Sequence, residues 1–166
     1  MAWCPRAMCV LWLLALSLVP ASAQGPASSE LTALMDRTAL KYRSQSDGAV
    51  ALAIQGQQLH TVLVRRLESH TVTYCLLARP AATETTPPTL LRVDRHAVPA
   101  ALWRTIAELN ANPWLPRLAH VDGHIVVSVA LPHAVASPEL LKDSIMAVGT
   151  VADLALPRVL AALAAE

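Results

Sequence analysis

Two repeat periods divide the chain. Leu31, Leu34, Met35 and Thr38 recur at helical spacing, with Ala39 and Tyr42 beyond them, and predict a helix over residues 30–44. Ser28 and Ser29 precede it, and either can cap it. Residues 44–48 supply a turn, and from 49 to 78 the period becomes two. Val50, Leu52 and Ile54 alternate with Ala49, Ala51 and Ala53, and Gln55-Gly56-Gln57-Gln58 reverses the chain. Residues 59–67 put Val62 and Val64 on one face and Leu63 on the other. Glu68-Ser69-His70 turns again, and 71–78 put Val72, Tyr74 and Leu76 on one face. Three short strands with tight turns read as an antiparallel meander.

Residues 79–96, RPAATETTPPTLLRVDRH, break the pattern with three prolines and several threonines, and are expected to form a surface loop. Leu90-Leu91-Arg92-Val93 can add a short edge strand to it. A second helix starts near Pro99. Leu102, Ile106 and Leu109 make its stripe, widened by Trp103 and Ala107, and it ends at Asn110 or Asn112 because Pro113 forbids continuation. Residues 117–121 and 124–131 then flank Asp122-Gly123, a strong two-residue hairpin signal. The last helix opens at Ser137-Pro138-Glu139 and presents Leu141, Ile145, Val148 and Ala152, with Pro157 expected to kink or split it. The order is α-β-β-β-α-β-β-α, an α+β fold with helices packed on a small twisted antiparallel sheet.

Composition adds an address. Residues 1–23, MAWCPRAMCVLWLLALSLVPASA, hold one charge, an apolar run over 7–19, a proline and an Ala-Ser-Ala cleavage signature. This reads as a secretory signal peptide, too short in its apolar run for the roughly 20 residues of a membrane span. The expected organisation is a signal over 1–23, a mobile lead over 24–29 and one domain over 30–166, exported to the periplasm or beyond, with no stable membrane span after cleavage. Removing Arg6 leaves 12 Lys+Arg against 12 Asp+Glu. That balance argues against nucleic acid as a partner. Cys75 is then unpaired, so the core must hold without an intrachain disulfide. The sequence has no Phe, and after the signal its aromatics are Tyr42, Tyr74, Trp103 and Trp114.

Candidate chemistry is sparse. His120 and His124 are the closest of six histidines. A hairpin at Asp122-Gly123 pairs Val121 with His124 and His120 with Ile125, so the two imidazoles point to opposite faces. No HExxH, CxxC or GxSxG pattern is present, and no metal, cofactor or catalytic set is assigned. Cys75 reads as a buried, inert thiol beside Leu76. Trp114, between Pro113 and Leu115-Pro116, sits on a connection with no regular period. A large apolar group there is either covered by its own domain or offered to a partner. Trp103, Trp114 and Leu115 are therefore the candidate partner-binding residues. The competing reading is an exported enzyme or metal-binding protein whose histidines assemble only in space.

The stretch LWRTIAELNANPWLPRLAHVDGHIVVSVALP resembles the helix–Asn–hairpin segment of YbjN-like proteins, which are similar in fold to type III secretion chaperones. Leu109-Asn110, Asp122-Gly123, Leu131-Pro132 and Ser137-Pro138-Glu139-Leu140-Leu141 match that plan. The resemblance spans roughly residues 30–156. It implies helices on a twisted sheet, binding of a protein or peptide partner, often by a homodimer, and no catalysis. The export signal and the long proline-rich loop depart from the secretion-chaperone pattern.

Overall fold

A computed structural model describes residues 26–80, 88–112 and 116–165. The expected signal over 1–23 lies outside them. Helix α1 (Pro26–Asp36) starts earlier and ends sooner than its periodicity suggests. A proline is tolerated in a helix's first turn, so Ser28 and Ser29 fall inside the helix rather than capping it. Its end is set by Thr38, whose N–H and hydroxyl both donate to the Met35 carbonyl (2.9 and 2.7 Å). Ala39 then takes φ 59°, a left-handed conformation that stops propagation, and the chain leaves before Tyr42.

The main sheet has six antiparallel strands: β1 (Arg43–Ser44), β2 (Val50–Gln55), β3 (Leu59–Arg66), β4 (His70–Leu76), β7 (Arg117–Val121) and β8 (His124–Pro132). Their spatial order is β1-β2-β3-β4-β8-β7. A two-residue ribbon, β5 (Ala78–Arg79) with β6 (Thr89–Leu90), carries the proline-rich segment out and back. That segment is only partly a surface loop. Leu91 and Val93 are buried in the core, Arg92 bridges His124, and the expected edge strand is realised at Thr89–Leu90. The β7–β8 hairpin has the expected register, His120 opposite Ile125 and Val121 opposite His124. Asp122 and Gly123 both take positive φ, 50° and 80°, as a two-residue turn matched to strand twist requires.

The three α-helices among the described residues lie on one side of the sheet. Leu31 and Met35 of α1, Leu102, Ile106 and Leu109 of α2 (Ala100–Leu109), and Leu141, Ile145, Val148 and Ala152 of α3 (Pro138–Ala164) form one core with Val50, Leu52, Val62, Val64, Cys75, Leu118, Ile125 and Val127. Ser137 caps α3, accepting from the Leu140 N–H at 3.1 Å. Pro157 does not split α3, which is continuous for 27 residues. Buried Ala155, Leu156 and Val159 dock on both sides of the proline, whose ring faces solvent. That packing outweighs one missing backbone bond. The helix is long and apolar enough to cross a membrane by composition, but half of its apolar window is buried inside the domain, the pattern of a core helix.

Candidate functional site

The sheet's two faces are built from opposite logic. Residues paired across strands share a face. One rung, Leu52–Val62–Cys75–Val127–Leu118, runs under the helices. The adjacent rung, Arg43–Ala51–Leu63–Tyr74–Ser128–Arg117, crosses all six strands on the other side. Beside it lie Arg65–Val72–Ala130 and Leu76–Val126–Ala119. No described helix packs on this outer face.

In β4 the alternation is inverted. Thr71 and Thr73 are 0% exposed and face the helices, while Val72, Tyr74 and Leu76 stand partly buried on the outer face. Sequence period places these three together; the structure shows that they point away from the core. Leu59 and Val121, also on the outer face, are exposed. The buried threonines are accommodated unevenly. The Thr73 hydroxyl meets that of Ser144 at 3.1 Å, and Ser144 donates to the Leu141 carbonyl at 2.8 Å. The Thr71 hydroxyl has no partner among the described residues. Burial pushes the Tyr74 phenol up, while Arg65 pulls the other way and Asp47 reinforces the rise. Arg65 is itself paired with Asp47 in the turn before β2.

The histidine pair is separated as the hairpin requires. His120 faces the helix side, with Nε2 2.9 Å from the Val93 carbonyl and its ring edge-on to Trp103 at 6.3 Å between centroids. His124 faces outward and bridges Arg92 through the backbone. Among the described residues no three His, Cys, Asp or Glu side chains gather as a metal site.

A second cluster had no local sequence signal. Asp153, on α3, accepts hydrogen bonds from the Gln57 and Gln58 N–H groups (2.8 and 3.1 Å) and lies 2.8 Å from His60 Nε2. It ties the β2–β3 turn to the long helix across 93 residues of sequence. Burial opposes its ionisation, but His60 and the two N–H donors outweigh that and hold the carboxyl below the usual range. Cys75 shares the inner face with His60, one rung away, which brings Cys, His and Asp into one neighbourhood. The thiol is 1% exposed and burial pushes it up to about 12, with Asp153 adding to the rise. Arg79, on β5, is exposed and does not lower it. A nucleophile needs the opposite environment, so this group is a clamp with a buried thiol beside it.

Of the three candidate partner-binding residues, Trp114 and Leu115 lie outside the described residues. Trp103 does not widen the core stripe of α2: it is 51% exposed and packs on His120 at the β7 edge. That edge is partly closed. The Asn110 carboxamide accepts from the Leu118 N–H (2.8 Å) and donates to its carbonyl (2.7 Å), standing in for a neighbouring strand. Arg117 donates to the Asn110 carbonyl at 2.5 Å. Asn110 thus both ends α2 and plugs an edge that strands of other chains could pair with.

No protein-family model and no curated protein matches the chain. Among solved structures, a chain in "Structure of the HopA1-SchA Chaperone-Effector Complex" matches with TM-score 0.52 and 11% identity, covering 79% of this chain and 96% of that one. The protein therefore shares its overall fold with a chain of a chaperone–effector assembly.

Proposed function

We propose that the protein is a non-enzymatic, chaperone-like module that binds another protein. The observation that carries this reading is the apolar outer face of the sheet, which no described helix covers. A sheet buries each apolar face against another layer. Here one layer is supplied by the chain's own helices and the other is left to a partner. The fold shared with a chain of a chaperone–effector complex supports the same reading.

The finer assignment rests on sequence. The helix–Asn–hairpin plan and the Ser-Pro-Glu-Leu-Leu helix start favour a YbjN-like protein. Residues 1–23 favour export to the periplasm or beyond, and the resemblance favours a homodimer. In-cell crosslinking, followed by reconstitution of the captured protein with the purified chain, tests the reading. A complex of defined stoichiometry is expected by light scattering. A chain that stays monomeric and forms no complex with any captured protein overturns it.

A further inference from the structure

We propose that the outer face receives an amphipathic helix of a partner protein whose apolar stripe is flanked by carboxylates on both shoulders. This deepens the protein-binding reading and rests on it. The apolar strip lies on three adjacent strands: Leu63 on β3, Val72, Tyr74 and Leu76 on β4, and Val126 on β8. Two strand spacings make it about 10 Å wide, the width of one α-helix. Along β4 it runs from Val72 to Leu76, about 13 Å, or roughly nine helical residues. A single extended strand cannot cover a face three strands wide, because its polar backbone finds partners only at an edge.

Charge selects among helices. Arg43 on β1 and Arg117 on β7 close the two ends of the rung that contains Leu63 and Tyr74, five strand spacings apart, about 24 Å. Both are exposed. Arg65, beside Val72, is already paired with Asp47, so the two end arginines carry the selection. The strand residues of this face include no Asp or Glu; the nearby Asp47 is taken by Arg65. A helix seated on the strip turns one shoulder toward Arg43 and the other toward Arg117, whose guanidinium has one of its donors on the Asn110 carbonyl. Carboxylates on both shoulders satisfy them, and arginine favours such pairing.

The same charges argue against this chain as its own occupant. Residues 1–25 contain no Asp or Glu, and residues 81–87 contain one, Glu84. Two outer faces brought together would oppose arginine rims.

The test uses two synthetic amphipathic helical peptides of one length and one apolar stripe, with Glu on both shoulders or with Lys on both. Binding to the full chain is read by fluorescence anisotropy. The acidic peptide is expected to bind at least tenfold tighter, and more weakly as salt rises. Arg43→Glu with Arg117→Glu inverts the preference, Tyr74→Ser weakens binding at least tenfold, and Met146→Ala, on the exposed side of α3, leaves it unchanged. Circular dichroism verifies folding. If Arg117→Glu disturbs the α2 end that Arg117 contacts, Arg43→Glu alone still narrows the preference. Equal binding of both peptides, an uninverted preference, or loss on Met146→Ala overturns the inference. So does self-association of the chain that Tyr74→Ser abolishes, which would make a second copy the occupant. A reconstituted partner complex left intact by Tyr74→Ser and the charge reversals sinks this inference and spares the broader reading. Failure to form any complex sinks both.

Discussion

The two faces of β4 differ in a way that composition alone would assign backwards. Its threonines and Cys75 lie under the helices, and its valine, tyrosine and leucine look outward. The inner face tolerates polarity because Ser144 reaches Thr73, and because Val62, Val64 and Val127 on neighbouring strands supply apolar area. The outer face keeps its large apolar groups without a described cover. A strand that turns threonine to the helices and tyrosine to the opposite, only partly buried face is poorly explained by stability alone. It is well explained by a second surface that has work to do with another molecule.

The largest test of this contrast compares one truncation on each side. Ile145→Ala, under the inner face, should cost about 2–4 kcal/mol by urea denaturation, because a packed cavity opens. Val72→Ala, on the outer face, should cost less than about 1 kcal/mol. Equal costs would mean that both faces are core.

Next comes the clamp on the helix side. Asp153→Asn should cost about 1–3 kcal/mol, since charge-assisted bonds to Gln57, Gln58 and His60 are weakened. The folded carboxyl is held below its ordinary range, so its contribution is present above that range, near pH 4 or so, and is lost as pH falls through the lower folded value. Asn at 153 should flatten that acid-side loss in a series of melting curves. An unchanged slope would remove Asp153 from the acid response.

The smallest effect sharpens the inversion itself. Thr71→Val replaces a buried hydroxyl that has no partner with an apolar group of the same shape, and should be neutral or stabilising by up to about 1 kcal/mol. A clear loss of stability would mean that the hydroxyl is satisfied in solution.

What the sequence disclosed follows the range of each signal. The Asp122-Gly123 hairpin and its register were readable because two adjacent residues determine the turn. The Ser137 cap and the Leu141–Ile145–Val148–Ala152 stripe were readable for the same local reason. The β1 strand and the β5–β6 ribbon were not, since two-residue strands are too short to show a period. Pro157 does not split α3 as one reading of it would have it, because the helix-breaking rule is local, while the packing that carries α3 through it is tertiary. Alternation showed that Val72, Tyr74 and Leu76 share a face, but it cannot say which face the helices choose. The His60–Asp153 clamp and the Asn110 plug join residues that only folding brings together. Periodicity placed Trp103 in the core stripe of α2, but it stands exposed beside His120 at the β7 edge, because the stripe it widens is already filled by Leu102, Ile106 and Leu109.

The claim that the outer face is where the protein meets its partner has one direct test. A photo-crosslinking amino acid is placed in cells at position 72 on the outer face and, separately, at 146 on the exposed side of α3. A strong crosslink to one protein from position 72, with little from 146, is the expected result. Crosslinking from 146 with none from 72 would contradict it.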